Sequence, residues 1–344
     1  MSAPKTNQAA AEETVARAGP TPPPRSLRTY AHLAELPRKP TRYDIATTAL
    51  DFHRTGGYAL DLPMSTWNRQ HRTGSPFQSA VWDSFSDPRQ TDYTAYVRLQ
   101  QAQEAHVDGV LRSIEESHYD RDQPAAAHAL TERLVTPLRY AYHGFQMVAA
   151  YIGQMAPGSR IIIAALLQAA DETRRIQRIA YRMAQIRELR PNFGAGCLNT
   201  WQDDPAWQPL RELVERMLCA YDWGEALIAL NVCAKPMLDD LFMQQLPLVA
   251  RERGDFLFGQ IASSLARDCE WHRQWTAALV TLALQGPESV RAAVERWVDL
   301  WWPRAARATA AFRATLGENG SALVEASQAR GLAFLDQLGI RRPA

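Results

Sequence analysis

Residues 159–189 have the sequence SRIIIAALLQAADETRRIQRIAYRMAQIREL, and this stretch decides the fold class. Its apolar positions from Ile162 to Met183 recur in steps of four and three, which is the spacing of one face of an α-helix. The sequence therefore predicts a helix over 159–189 with this stripe on the core side. The opposite face, which we interpret as the solvent face, carries Asp171, Arg174, Arg178 and Arg182.

The same periodicity continues along most of the chain after Tyr93. Pro and Gly fall mainly between the periodic segments, and no strand alternation is present. Stripes this wide can pack on more than one neighbour, so the sequence predicts an all-α bundle. The predicted helices cover about 94–120, 124–155, 159–189, 206–234, 237–252, 255–284, 287–301 and 304–335.

The residues before Tyr93 differ in composition from this helical body. Residues 1–25 predict a disordered tail, because they hold too little apolar surface to offset the entropy of ordering. Residues 26–93 are rich in Pro, Gly, Asp and aromatic side chains and predict an extended arm, followed by a helical domain over 94–335 and a C-terminal tail over 336–344. The arm either places Trp67, Trp82 and Phe85 as anchors in grooves of another subunit or folds back on its own domain.

The charge balance and the cysteines exclude several classes of protein. The chain has 38 Lys and Arg against 37 Asp and Glu, without a basic block interleaved with aromatics, so nucleic acid is not an expected partner. The four cysteines fit neither a CxxC pair nor a disulfide framework, and we expect them to be reduced. No segment has the pattern of a signal peptide or a bilayer span, so we expect a cytoplasmic protein without membrane contact.

Three helices carry ionisable side chains on or beside their apolar rows. Glu172 and Arg175 lie beside the stripe of 159–189, and Glu225 interrupts the apolar row of 206–234. Cys269 and His272 lie on the apolar row of 255–284. We therefore expect these side chains to approach one interior, with Arg175 within hydrogen-bonding reach of Glu172 or Glu225 because a buried carboxylate needs a cation.

Two of these helices keep the spacing of a diiron carboxylate site without its chemistry. Such a bundle needs a Glu-x-x-His pair on each of two helices and a Glu on each of two others. Arg175 stands where an imidazole is needed and Cys269 where a carboxylate is needed, so we expect no metal in this chain. Glu115 and His118 form the one literal Glu-x-x-His, which is isolated in a polar run and is not expected to bind metal.

Short matching words extend from the arm through the helical body. They are RTYAHLAE at 28–35, RKPTRYD at 38–44, FQM at 145–147, AY at 150–151, QMAP at 154–157, QAADE at 168–172, AYR at 180–182, YDWGEA at 221–226, LN at 230–231 and KP at 235–236. In these words the chain resembles the hydroxylase β subunits of bacterial multicomponent diiron monooxygenases of the toluene, phenol and alkene type, with the toluene 4-monooxygenase and isoprene or alkene monooxygenase types nearest.

The resemblance implies a ferritin-like, ribonucleotide-reductase-like bundle with a long irregular N-terminal arm. It implies that Glu172, Arg175, Glu225, Cys269 and His272 mark a vestigial metal site. It also implies a non-catalytic structural subunit of an NAD(P)H-dependent system, with the diiron centre in a partner α subunit. The α, β and γ subunits would assemble as (αβγ)2, and a reductase, a Rieske-type ferredoxin and a coupling protein would complete the system.

Two alternative functions remain at this point. The sequence does not decide whether the substrate is an aromatic hydrocarbon or an alkene such as isoprene or propene. The first alternative is an autonomous ferritin-like metalloenzyme with an atypical site made from Glu172, Glu225, Cys269 and His272. Arg175 argues against it, because a cation beside the site repels a metal ion. The second alternative is a helical interaction protein unrelated to oxygenases, which the matching words disfavour.

Overall fold

The computed structural model describes residues 31–34, 36–49 and 63–343. The chain divides into two units, Met1–Pro40 and Thr41–Ala344. In the first unit, the described residues include one 3-10 turn, Ala31–Leu33. The tail predicted over 1–25 and the parts of the predicted arm at 26–30, 35 and 50–62 lie outside the described residues.

The second unit, as far as it is described, consists of helices and connecting turns without strands. The α-helices are α1 (Arg42–Thr47), α2 (Pro63–Asn68), α3 (Tyr93–Glu116), α4 (Tyr119–Asp122), α5 (Ala125–Leu130), α6 (Leu138–Met155), α7 (Ser159–Leu189), α8 (Cys197–Asp203), α9 (Gln208–Met217), α10 (Trp223–Leu227), α11 (Lys235–Asp240), α12 (Leu246–Glu252), α13 (Leu257–Leu284), α14 (Glu288–Ala310) and α15 (Gly320–Leu338). Four π-helical segments, Arg69–Thr73, Thr131–Val135, Ile228–Ala234 and Leu241–Gln245, and a 3-10 turn, Trp82–Ser84, complete them. The predicted all-α bundle is confirmed.

A nearly continuous helical path from α10 to α12 forms the centre of the bundle. Every side chain from Ala226 to Met243 on this path is buried, so it must be surrounded by other helices. The sequence predicts a break at Pro236, but the path continues. Pro236 lies in the first turn of α11, directly after the π-helical segment Ile228–Ala234, where a missing N–H is tolerated.

α6 and α7 form a helical hairpin that packs beside this central path. Only residues 156–158 separate the two helices, and α7 has the bounds that its periodicity predicts. A Cβ atom added to Gly153 of α6 would come within 2.9 Å of the Leu166 side chain of α7. Glycine therefore allows the two helices to approach closely. α13 contacts both α7 and α11, so α6, α7, α11 and α13 enclose one interior.

Several predicted helix boundaries are wrong, among them the end at 335, since α15 continues to Leu338, and two of these differences have identifiable reasons. The helix predicted over 206–234 is interrupted after Met217, and α10 begins anew because the Asp222 carboxylate accepts hydrogen bonds from the backbone N–H groups of Gly224 and Glu225 at 2.9 and 3.2 Å. The break predicted near 302 is absent, and α14 runs through Pro303 to Ala310. Pro303 and the residue four positions before it are exposed, so water can bond the carbonyl that loses its N–H partner.

Part of the predicted arm folds back on its own domain. Phe77, Trp82 and Phe85 are buried in the core of this unit, and the rings of Phe77 and Trp82 lie 5.1 and 5.5 Å from that of Trp223. The prediction that Trp82 and Phe85 anchor another subunit is wrong, because the surface of these rings is already covered within the chain. Trp67 is half-buried and donates to the hydroxyl of Tyr151 at 2.9 Å. Its role at an interface stays a prediction.

Candidate functional site

Four helices bring ionisable side chains to one point inside the bundle. We call this group the interior cluster, and it consists of Tyr142 on α6, Glu172 and Arg175 on α7, Lys235 and Asp239 on α11, and Cys269 and His272 on α13. All of these side chains are buried. Burial removes the water that would otherwise solvate their charges, so each charge must find its partner within the cluster.

Arg175 holds three of the four helices together. Its Nη1 donates to Oδ1 of Asp239 at 2.9 Å and lies 3.0 Å from Oε2 of Glu172, while its Nη2 donates to Sγ of Cys269 at 2.8 Å. The guanidinium carbon lies 5.2 Å from the centre of the Tyr142 ring on α6. The planar donor geometry of arginine suits several fixed partners at once. The predicted contact between Arg175 and Glu172 is present.

Lys235 supplies the second positive charge. Its Nζ donates to Oε1 of Glu172 at 2.6 Å and lies 3.0 Å from Oδ2 of Asp239. Two cations, Arg175 and Lys235, therefore meet two carboxylates, and the four groups are electrically neutral together. A buried network of this kind is stable only while every member is present, because removing one leaves its partner charged without compensation.

The pKa values of the cluster follow from this pairing. Burial raises the pKa of Asp239, but Lys235 and Arg175 outweigh burial, and the net shift is downward. Burial lowers the pKa of Arg175, but Cys269, Glu172 and Asp239 outweigh burial, and the net shift is upward. Burial raises the pKa of the Cys269 thiol to about 12 despite the nearby guanidinium. At neutral pH the cysteine is therefore a protonated thiol and not a thiolate ligand.

His272 connects the cluster to a neighbouring polar network. Its Nε2 lies 3.0 Å from Oδ2 of Asp171, whose Oδ1 accepts from the hydroxyl of Tyr96 and the amide of Gln100, each at 2.8 Å. Burial, reinforced by Lys235 and Arg175, lowers the pKa of His272 well below its ordinary value, so the imidazole is neutral at pH 7. Burial and Asp268 raise the pKa of Asp171.

Glu225, which the sequence predicts at this interior, lies elsewhere. It is half-buried near the start of α10 and accepts a hydrogen bond from Nε1 of Trp301 at 3.0 Å. The helical path that begins with α10 becomes fully buried only after Glu225, and its later residues Lys235 and Asp239 therefore reach the cluster. The sequence contained an indication of Lys235 and Asp239, because the row Glu225, Ile228, Val232 continues to them in steps of three and four.

The sequence model of the methane/phenol/alkene hydroxylase family matches residues 67–287. The chain is also 36% identical over 300 residues to the hydroxylase component subunit β of the toluene-4-monooxygenase system of Ectopseudomonas mendocina, covering 85% of this chain and 91% of that protein. This chain belongs to the methane/phenol/alkene hydroxylase family. It is 25% identical to the oxygenase component DmpL of phenol 2-monooxygenase from Pseudomonas sp. (strain CF600), over 79% of this chain and 80% of that one.

Solved structures agree with this membership of the hydroxylase family. A chain of toluene 4-monooxygenase, solved with toluene bound in the resting active site, superposes on the present chain with a TM-score of 0.80 at 36% sequence identity. The superposition covers 85% of the present chain and 98% of that chain. A chain of xenon-pressurized phenol hydroxylase from Pseudomonas sp. OX1 superposes with a TM-score of 0.84, covering 95% of the present chain and 99% of that one. At 22% identity the second likeness concerns the fold alone. The predicted ferritin-like hydroxylase fold is confirmed.

The interior cluster of this hydroxylase-family chain does not fit a pair of iron ions. Its two carboxylates, Glu172 and Asp239, are both engaged by Arg175 and Lys235, and its cysteine is protonated. Two hard cations in a carboxylate bundle require about four carboxylates together with imidazoles. Among the residues that the structure describes, no group of three or more His, Cys, Asp or Glu side chains is placed to hold a metal ion.

The charged row of α7 that the sequence assigns to solvent is buried instead. Arg174 bonds Glu104 of α3 and Asp268 of α13, each at 2.6 Å. Arg178 bonds Glu104 and also Asp108 of α3, the latter at 2.6 Å, and Arg182 bonds Asp120 of α4. The solvent-face prediction is wrong, because carboxylates of α3 and α4 cover these arginines. Periodicity shows that two faces of a helix differ, but it does not show which of them is covered.

The isolated Glu115 and His118 pair does not form a metal site. α3 ends at Glu116, and His118 adopts a left-handed backbone conformation with φ of 57° beyond it. The two side chains therefore lack the common helical face that the three-residue spacing would give them. Both are exposed, and Glu115 accepts a hydrogen bond from the amide of Gln185.

No helix in the described ranges has the length and hydrophobicity needed to cross a membrane.

Proposed function

We propose that this chain is the non-catalytic, structural β subunit of a bacterial diiron hydroxylase. The interior cluster carries the proposal: Arg175 and Lys235 are fixed positive charges between four helices, where a metal-bearing bundle would place its ions. The names of the relatives support it, because they include a hydroxylase subunit β and, at 27% identity, the hydroxylase small subunit of propane 2-monooxygenase from Gordonia sp. (strain TY-5).

In this proposal, the diiron centre that activates O2 belongs to a partner α subunit. The α, β and γ subunits assemble as (αβγ)2, and electrons pass from NAD(P)H through a reductase and a Rieske-type ferredoxin to the α subunit. A small coupling protein completes the system. The present chain contributes a rigid helical framework that supports the helices of α. The cytoplasmic location remains a prediction from the sequence.

The substrate class we propose is an aromatic hydrocarbon or an alkene. The 36% identity to a subunit of a toluene-4-monooxygenase system favours an aromatic hydrocarbon, and the 25% identity to a phenol 2-monooxygenase component agrees with it. The substrate pocket would belong to the α subunit. Regiospecificity is therefore a property of that subunit and not of this chain.

An autonomous metalloenzyme is not favoured. Its atypical site would need Cys269 as a thiolate, and burial instead keeps the thiol protonated by raising its pKa to about 12. It would also need Glu225, which bonds Trp301 on another side of the bundle. The helices that meet at the cluster thus supply cations where that enzyme would need ligands.

The experiment is co-expression of this chain, carrying an affinity tag, with the large hydroxylase subunit of its system. We expect both chains to elute together, and native mass spectrometry to give a defined assembly. Toluene hydroxylation, driven by reductase and ferredoxin, should require the large subunit, and the tagged chain alone should give no product. Product formation by the isolated chain, or failure of the two subunits to associate, would contradict the proposal.

A further inference from the structure

The middle part of α7 directs its charged side chains inward. Between Ile162 and Gln185 the helix carries six charged side chains, and all six are buried: Asp171, Glu172, Arg174, Arg175, Arg178 and Arg182. Every side chain of this stretch that remains accessible is uncharged. A helix at a water interface has the opposite arrangement, with its polar face outward. The outer side of α7 is therefore unsuited to be a permanent water interface.

The accessible side chains lie beside the exposed side of α6, which has no Lys, Arg, Asp or Glu between Tyr140 and Met155 and carries one exposed imidazole, His143. We call this surface the α6–α7 face, and its main members are Met147, Leu166, Ala170, Thr173, Gln177 and Tyr181. Met147, Leu166 and Tyr181 are 44%, 47% and 49% exposed, which is high for large apolar or aromatic side chains. Large apolar side chains exposed along neighbouring helices in this way are typical of a site of association.

We propose that the α6–α7 face docks against a pair of helices of the large, catalytic hydroxylase subunit. The inference rests on the proposed function, because it names the place where the partner binds. The partner must present an uncharged surface here. A charged group brought against Leu166 or Ala170 would lose its water without gaining a counterion, since the six charged side chains of this stretch of α7 are buried on its other side and are already paired.

The dimensions of the face suit a helix pair. The stretch from Ile162 to Ala184 is about 33 Å long at a rise of 1.5 Å per residue. Two helices packed 8 to 10 Å apart give it a width of about 15 to 20 Å. The product, roughly 500 to 650 Å², is most of the approximately 800 Å² that each partner buries in a stable interface. Ala170 and Ala180 are small enough to let a facing helix approach closely.

The relatives favour a different subunit over a second copy of this chain as the occupant. They are designated subunit β and small subunit of hydroxylase components, and such designations belong to assemblies with another, larger subunit. A surface without Lys, Arg, Asp or Glu over this length also favours a partner that stays bound. A large subunit that always accompanies this chain is such a partner.

Two variants place a charge on the face, and each has a matched control. Ala170→Arg and Leu166→Glu alter the α6–α7 face, whereas Ala292→Arg on α14 and Leu248→Glu on α12 make the same changes at exposed positions elsewhere. Leu248 is 51% exposed, close to the value for Leu166. Each variant is co-expressed with the large subunit, and the affinity of the two chains is measured after purification. Circular dichroism melting of each variant checks that the fold is retained.

We expect Ala170→Arg and Leu166→Glu to weaken association with the large subunit about a hundredfold, because each buries an unpaired charge in the interface. Ala292→Arg and Leu248→Glu should leave it within about twofold of the unaltered chain. If Ala170→Arg melts normally and still binds normally, the large subunit docks elsewhere and this inference is wrong.

The failure of the proposed function would look different, because the unaltered chain would then not bind the large subunit at all. A stable homodimer of the unaltered chain that Ala170→Arg dissociates, with binding to the large subunit unaffected, would assign the face to a second copy and overturn the choice of occupant. Size-exclusion chromatography with light scattering distinguishes these two results.

Discussion

α7 takes part in two sets of ion pairs that differ in how much water reaches their carboxylates. In the inner set, Arg175 pairs with Glu172 and Asp239, and all three side chains are buried. In the outer set, Arg178 pairs with Glu104 and Asp108, whose side chains are 37% and 54% exposed. The same residue type on the same helix therefore has two different energetic roles, because a hydrated partner keeps its solvation when the pair is broken.

The largest effect is expected at the inner set. Arg175→Leu leaves Glu172 and Asp239 with Lys235 as their single cation, and by comparison with other broken buried pairs it should lower the free energy of unfolding by about 3 to 5 kcal/mol. Urea denaturation followed by circular dichroism measures this. Arg112→Leu, at an exposed position of α3, is the control and should change stability by less than about 0.5 kcal/mol.

A double variant sharpens this test. Arg175→Leu combined with Asp239→Asn should cost clearly less than the sum of the single changes, because the second change removes a charge that the first has left unpaired. Additive costs, or a loss below about 1 kcal/mol for Arg175→Leu, would show that the inner pairs are solvated like the outer ones.

The next effect concerns pH and the imidazole beside the inner set. In the unfolded chain His272 binds a proton near its ordinary pKa of about 6.5, whereas in the folded chain its pKa is well below that value. Between these two values the unfolded state binds more protons, so stability falls as the pH is lowered below about 6.5. This contribution should reach about 1 to 2 kcal/mol between pH 7 and pH 5.

His272→Gln should remove this contribution, because the glutamine amide can donate to Asp171 but does not titrate. Both proteins retain Asp171, so the difference between their pH profiles isolates the imidazole. His106→Gln, at an exposed position of α3, should leave the profile of the unaltered chain unchanged. Parallel profiles for the unaltered chain and His272→Gln would mean that the imidazole is accessible to protonation in the fold.

The sequence predicts much of the helical body and part of the inner set. The bounds of α7 follow from its periodicity, and the contact between Arg175 and Glu172 is one of the two that the need of a buried carboxylate for a cation predicts. The orientation of α7 does not follow. The assumption that the charged side of a helix faces solvent fails here, because carboxylates of other helices cover the arginines, while Leu166 on the predicted core stripe is exposed.

The continuation of the central helical path through Pro236 could not be predicted from the sequence either. Pro236 and Pro303 are residues of the type that ordinarily ends a helix. Pro236 is accommodated by the π-helical segment before it, and Pro303 is accommodated because it lies on the solvent side of α14. Continuation through Pro236 brings Lys235 and Asp239 to the cluster in place of Glu225. Local spacing cannot show such a continuation, because it depends on the packing of neighbouring helices against the chain.

The smallest effect is expected at the outer set. Arg178→Leu should lower the free energy of unfolding by about 1 kcal/mol at low ionic strength, since Glu104 and Asp108 stay partly hydrated. The loss should shrink in about 1 M salt, where charges are screened beyond about 3 Å. The cost of Arg175→Leu should not change with salt. A salt-independent loss at Arg178 as large as that at Arg175 would remove the distinction between the two sets.

The central claim is that fixed cations occupy the interior of this bundle in place of metal. Anaerobic titration of the purified chain with Fe(II), followed by desalting and determination of iron, tests it most directly. We expect no retained iron, because Arg175 and Lys235 neutralise both carboxylates of the cluster and Cys269 remains a thiol. Stoichiometric iron that survives desalting, together with loss of that iron on Glu172→Gln, would contradict the claim.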